Sequence, residues 1–284
     1  MLADEVLSSK GVQVQAGKAM ADLDRYIHEA HRFDLTEAFA SAACEVAWHQ
    51  GEPALAKTIG ICRLPYEAVW IEVADAHRQE FVRIGADRGM AKRVGFLLHA
   101  RNPEHSIFDA HLFWSANGQP TVAAGFSMII DLENDRGEKR YAPYESPFST
   151  VVAAHAKSGR SSLGYEQYRT SGVADWAGEV NFLVATLALL NSRRATKIVE
   201  PSKMKMRKAG KRQLLSYRIC DLDVSAAMPL RDESSAGHCA KRAHFVRGHF
   251  KAKSSGLRWW KPHIRGDRSL GFVTKSYSLQ NGDA

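Results

Sequence analysis

Val173, Trp176, Val180, Leu183, Val184, Leu187 and Leu190 recur three or four residues apart. That spacing puts side chains on one face of an α-helix. The stripe runs for about five turns, so the sequence predicts one long central helix over 173–192 with a wide apolar face that must be covered. Asp175 and Glu179 near its start, and Arg193 and Arg194 at its end, suit the helix macrodipole. This helix reads as a packing element, and it needs a sheet to pack on.

The sheet is legible upstream, in strands over about 64–132. Ala68–Val73, Phe81–Gly85, Val94–Leu98, Phe108–Trp114 and Thr121–Leu132 are short runs rich in β-branched and aromatic residues. Asn117-Gly118 between the last two is the strongest hairpin signal in the chain. Short strands joined by turns, with no helical pattern between them, predict a mainly antiparallel sheet.

Before the sheet, residues 12–50 read as a helical hairpin. Met20, Leu23, Ile27 and Ala30 form one stripe, and Phe39, Ala42, Ala43, Val46 and Ala47 a second. Phe33–Thr36 interrupts them, with Asp34 or Thr36 as N-cap, and Gly51 is the expected stop. Residues 133–172, broken by Gly, Pro and Ser, read as a long loop with one helical turn around Val151–Lys157. The expected fold is α+β: an N-terminal helical hairpin, a mainly antiparallel sheet, one long central helix and a basic β-rich C-terminal portion.

Charge divides the chain. Residues 1–189 carry 18 Lys and Arg against 24 Asp and Glu, a net of −6, whereas 190–284 carry 21 against 7, a net of +14. The two portions are expected to pack in one domain, with the basic end meeting a polyanion. Six cations fall in ten residues: Lys203, Lys205, Arg207, Lys208, Lys211 and Arg212. Lys241–Gly266 then packs eight Lys and Arg, three histidines and Trp259-Trp260 into 26 residues without a carboxylate.

Within that stretch, His244–Lys253 and Leu257–Arg265 read as two strands joined by a Ser-Ser-Gly turn. Alternation suggests one wet face carrying Arg247, His249, Lys251, His263 and Arg265, and a reverse face packing through Val246, Phe250 and Ile264. A further strand is expected over Gln213–Asp223 and a last one over Phe272–Ser278.

Three chemistries fit this composition. In nucleic-acid binding, Lys203, Lys205, Arg207, Lys208, Lys211, Arg212, Arg247, Lys251, Lys253, Arg258, Lys261 and Arg265 would neutralise phosphates. His249 and His263 would join them, and Phe245, Trp259 or Trp260 would stack on bases. A metal-independent ribonuclease would use His249 and His263 as the acid–base pair, with Arg247, Lys251 and Arg265 around the phosphate. A zinc site from His238, Cys239, His244, His249 or His263 matches no familiar ligand spacing. Glu72, Asp109 and Asp131 sit at strand-like positions where they could collect a divalent metal, but isolated carboxylates in a sheet are far more often surface residues. No metal and no cofactor is expected.

The order of motifs in the C-terminal third is distinctive. Leu189-Leu-Asn191 ends the helix, Lys205-Met-Arg-Lys-Ala-Gly-Lys211 and Leu214-Leu-Ser-Tyr217 follow, then His244-Phe-Val-Arg-Gly-His-Phe-Lys251 and Trp259-Trp-Lys-Pro-His-Ile-Arg-Gly266. This resembles a group of tailed-phage and prophage proteins ending in similar Arg-Gly-His and Trp-x-x-Pro patterns. The resemblance covers about residues 187–266, with a fainter echo at Leu64-Pro65 and Trp70-Ile71-Glu72. That group carries no established activity, so the resemblance implies a phage or mobile-element origin and no mechanism.

The expected function is a phage-type nucleic-acid-binding protein, DNA or RNA, acting through its basic third. The alternatives are the ribonuclease, or a module that docks on an acidic protein partner. With 45% hydrophobic and 25% charged residues the composition is that of an ordinary soluble domain. No run of apolar residues suits a membrane span. The acidic start, Met-Leu-Ala-Asp-Glu, is unlike a signal peptide, and four cysteines without CxxC spacing read as reduced thiols. A cytoplasmic location is therefore expected.

Overall fold

The computed structural model describes residues 2–8, 25–78, 91–116, 122–124, 126–134, 140–146, 162–192, 196–199, 217–222, 242–246, 249–260 and 263–273. The expected α+β arrangement is corrected at its centre: the organising element is one large mixed sheet. Its strands are β1 (His31–Leu35), β2 (Ala68–Ala74), β3 (Ala91–Ala100), β4 (Ile107–Ala116), β5 (Val122–Ala123), β6 (Phe126–Asp131), β7 (Tyr141–Glu145), β8 (Thr196–Val199) and β9 (Tyr217–Leu222). They lie in the order β7-β6-β4-β3-β2-β1-β9-β8, with β5 also on β4.

The meander β2-β3-β4-β6-β7 is antiparallel. However, β1 runs parallel to β2 on one side and to β9 on the other. Residues 31–35 are therefore a strand and not an interruption in a helical hairpin. His-Arg-Phe-Asp-Leu has no apolar run to announce a strand. It earns its place because Phe33 and Leu35 enter the main core while Arg32 and Asp34 find charged partners on the other face.

The helix after β1 also differs from expectation. Thr36 is the N-cap of α2 (Glu37–Cys44), its hydroxyl oxygen accepting from the Phe39 N–H at 3.3 Å. The chain stays helical through a π-helical stretch, Glu45–Gln50, into α3 (Gly51–Thr58). Gly51, read as a stop, opens α3. The other half of the expected hairpin falls mostly on residues outside those described. What is seen of the N-terminal part is α1 (Leu2–Ser8) and a helical stretch at 25–29.

The segment 133–172, expected to be loop, contributes β7 and the start of α4 (Ser162–Leu190). Its predicted helical turn at 151–157 lies outside the described residues, as do the strand expected at 81–85 and the turn at Asn117-Gly118. The helix α4 begins eleven residues before the expected start and covers one side of the sheet instead of standing at the centre. Trp176, Val180, Phe182, Leu183 and Leu187 join Phe33, Val69, Ile71, Phe96, Leu98 and Phe108 in the main core. Phe96 lies 6.5 Å from Trp176 and 6.1 Å from Phe182, centroid to centroid. The Trp176 indole N–H donates to the carbonyl of Phe126 in β6 (2.8 Å), which satisfies the one polar atom the ring brings into the core.

A smaller core lies on the opposite face, where Leu2, Ala3, Val6, Ile27 and Ala30 cover Trp70, Leu97 and Phe113. Gly95 makes this possible: a Cβ there would stand 2.6 Å from Trp70 Cζ2 and 2.9 Å from Leu2 Cδ2. With both faces covered, β2 is buried along nearly its whole length.

The C-terminal strands are β10 (Arg242–Val246), β11 (His249–Lys253), β12 (Gly256–Trp260), β13 (His263–Arg265) and β14 (Asp267–Val273). The last begins five residues before the expected 272–278 strand. β11 and β12 form the predicted hairpin, turning at Ser254-Ser255, while β10 pairs antiparallel with β13 and parallel with β14. Among the described residues no helix is long and apolar enough to cross a membrane.

Candidate nucleic-acid interface

The hairpin β11–β12 is amphipathic for a simple reason. Cross-strand partners share a face, and the register pairs Phe250 with Trp259, Ala252 with Leu257, Lys251 with Arg258 and His249 with Trp260. The first two pairs face inward. Phe250 and Leu257 are 3% and 1% exposed and belong to the main core, with Ala252 and Trp259 packed against it. The Phe250 and Trp259 rings are 5.0 Å apart.

The alternate side carries the charge. Lys251 and Lys253 are exposed and Arg258 half-exposed. Lys251 Nζ sits 4.1 Å from the centroid of the Trp260 ring, a cation–π contact. Two cations placed directly opposite each other, as Lys251 and Arg258 are, weaken a hairpin. The core packing on the other side offsets that cost.

The turn is anchored to the end of α4. The Leu257 N–H donates to Ser192 Oγ (2.9 Å), which itself donates to the Ala188 carbonyl (2.5 Å). Gly256 has φ +114, and a Cβ there would stand 2.7 Å from Ser192 Oγ. Only glycine fits that backbone so close to the helix.

Of the residues predicted to meet nucleic acid, Lys251, Lys253, Arg258 and Trp260 are brought together on this outer side. Trp259 faces the core. Arg265, exposed, lies on β13 opposite His244. Lys203, Lys205, Arg207, Lys208, Lys211, Arg212, Arg247 and Lys261 lie outside the described residues. His263 is opposite Val246 on β10–β13 and His249 opposite Trp260 on β11–β12, two strand pairs that belong to separate sheets. Ile264, expected to pack behind the wet face, is instead 40% exposed.

Sequence reasoning missed three polar clusters elsewhere. On the face opposite α4, Glu72 is fully buried and accepts from the Leu2 N–H (2.9 Å), the Trp70 indole (3.2 Å), the Tyr217 hydroxyl (2.8 Å) and Arg93. Arg93 also reaches Asp34 (2.5 Å), the residue that pairs with Glu72 across β1 and β2. One guanidinium thereby holds two adjacent carboxylates. Burial raises the Asp34 pKa against the pull of Arg93 and raises that of Tyr217, with Glu72 adding to it. Glu72, weighed as a metal ligand, is saturated by donors instead. No cluster that could hold a metal ion occurs among the described residues.

On the same face, His111 Nδ1 lies 2.6 Å from Ser127 Oγ and its Nε2 lies 3.5 Å from the Tyr144 hydroxyl. Tyr144 donates to Asp109 (3.0 Å), which also accepts from Arg101 (2.9 Å). Burial lowers the His111 pKa to about 4, against the pull of Asp109. It raises that of Tyr144, helped by the same carboxylate. Serine beside histidine suggests a nucleophile and its base, but Ser127 is fully buried and no substrate carbonyl can approach it. The cluster satisfies polar groups inside the fold.

The third cluster lies under α4. Arg78 donates to Glu179 and to Asp75 (2.9 Å). Burial alone would lower the Arg78 pKa; the Glu179 and Asp75 carboxylates together reverse this and raise it. Glu179, read from sequence as a charge near a helix start, is a buried mid-helix anchor. None of these clusters can be assembled from a local signature, because each needs partners from segments far apart in sequence. The chain matches no protein-family model, no curated protein and no solved structure.

Proposed function

We propose that the chain is a phage-type nucleic-acid-binding protein whose basic C-terminal third meets the polyanion, with the outer side of the β11–β12 hairpin as part of the contact surface. One observation carries this reading. The hairpin is fixed to the core through Phe250 and Leu257 and to α4 through Ser192, and it holds Lys251, Lys253 and Arg258 on its other side despite the cost of like charges in register. Such an arrangement weakens folding and serves an anion. Phosphate contacts supply sequence-independent affinity, which suits a chain whose last 95 residues carry a net +14.

The phage resemblance in residues 187–266 belongs to the same reading. So does a cytoplasmic setting, in which Cys44, Cys62 and Cys220, all free and buried, stay reduced.

The test is a salt titration of binding to single- and double-stranded DNA and RNA in EDTA, with the nucleic acid checked on a gel afterwards. Log affinity falling linearly with log salt, with each phosphate contact adding about 0.7–0.9 to the slope, supports the reading. Absence of binding at low salt overturns it. Cleavage in EDTA that His249→Ala abolishes would replace it with the ribonuclease. Saturable binding to one acidic protein with a shallow salt dependence, and none to DNA or RNA, would replace it with a docking module.

A further inference from the structure

We infer that the nucleic acid taken by this surface is single-stranded, with one unstacked base lying on the Trp260 indole. The inference rests on the polyanion reading above and deepens it.

The two adjacent tryptophans are not equivalent. Strand alternation turns Trp259 inward, where its ring packs beside Phe250 and joins the main core. Trp260 falls on the other side with Lys251 and Arg258, half-buried, its ring capped by the Lys251 ammonium at 4.1 Å from the centroid. A ring face that accepts an ammonium is an electron-rich π-face of the kind a base also takes. When a base stacks there, Lys251 need only swing from the ring to the neighbouring phosphate. A cation–π contact is exchanged for a stack and an ion pair.

The spacing of the cations suits such a strand. Lys251 and Lys253 are alternate residues on β11, about 6.6 Å apart along it, the reach of one nucleotide of extended backbone. Arg258 stands opposite Lys251 on β12 and widens the phosphate track across the ribbon.

A duplex cannot use this site in the same way. Its base faces are covered by their neighbours, and a ring lying on a ribbon surface offers a face and not an edge to read a groove. The anchor at Gly256 and Ser192 holds the plate in place before binding, so little order is lost on contact.

The experiment uses the full chain with a labelled oligothymidylate, an oligouridylate and a hairpin duplex of matched length at one salt concentration. Tighter binding of both single strands than of the duplex is expected. Trp260→Ala should weaken single-strand binding about 5- to 150-fold with little change for the duplex, while Trp260→Phe keeps most of the affinity. Tryptophan fluorescence quenching by oligothymidylate should shrink in Trp260→Phe, a readout that stands even if Trp260→Ala fails to fold. A preference for only one of the two strands still supports the stack, since thymine and uracil both offer a π-face. Equal single-strand and duplex binding with quenching unchanged in Trp260→Phe overturns the inference and leaves the polyanion reading standing. No binding of any probe at low salt overturns both.

Discussion

Arg78 and Glu179 meet end to end beneath α4, the guanidinium reaching both carboxylate oxygens at 2.5 and 3.0 Å with neither side chain open to solvent. The contact joins the segment after β2 to the middle of α4 across 101 residues of sequence. It also places a charge among Phe96 and Phe182, whose rings lie 5.9 and 4.9 Å from the guanidinium carbon.

Removing one partner strands the other. Glu179→Ala leaves Arg78 with Asp75 alone and should destabilise the fold by about 3 kcal/mol or more. The double replacement Arg78→Met, Glu179→Leu should recover part of that loss, because the desolvation cost of the pair disappears although Asp75 loses its contact with Arg78. Urea-unfolding midpoints of the two variants decide it; equal losses would mean that shape, and not charge, governs the site.

Acid should loosen the face around His111. The unfolded chain takes up a proton on this imidazole near 6.5, whereas the folded protein keeps it neutral down to about 4. Between those values the unfolded state binds more protons, so stability falls as pH drops and levels off below about 4. The loss approaches about 1.4 kcal/mol per pH unit inside that window. Asp34, whose pKa burial raises, contributes with the opposite sign near its own range. The difference between wild type and His111→Gln isolates the imidazole: chemical denaturation from pH 7 to 4 should show a shallower decline in the variant.

Gly256→Ala tests the anchor of the hairpin. The new Cβ meets Ser192 Oγ at a backbone angle that side chains avoid. A cost of about 1–3 kcal/mol is expected, felt first in the hairpin. Hydrogen exchange should quicken at the amides of residues 249–260 while those of β3 and β4 stay protected. Uniform acceleration across the sheet would contradict a local anchor.

Joint replacement of Lys251, Lys253 and Arg258 by Ala should lower the slope of log affinity against log salt by about 2–3, since each lost phosphate contact removes about 0.7–0.9. Thermal stability should change little, because relief of the Lys251–Arg258 juxtaposition is offset by loss of the Lys251–Trp260 contact. An unchanged slope would place the phosphate contacts elsewhere in the basic third.

Some of this was open to inspection in the chain alone. The runs around Val69, Phe96, Leu112 and Met128 announce β2, β3, β4 and β6, because a strand buried in a sheet must be apolar whatever it pairs with. The Ser-Ser-Gly turn and the alternation from His249 to Trp260 likewise specify an amphipathic hairpin, and the charge division marks which end is basic. Those signals are local and one-dimensional. Tertiary structure decided the rest: that Phe33 and Leu35 form a strand gripped by β2 and by β9, whose partners lie some 185 residues away; that one Arg93 guanidinium holds both Glu72 and Asp34; and that Trp259 packs on the core while Trp260 lies on the side that carries Lys251. Pairing and charge compensation are chosen between distant segments by the free energy of the whole sheet, and no window of sequence contains both partners.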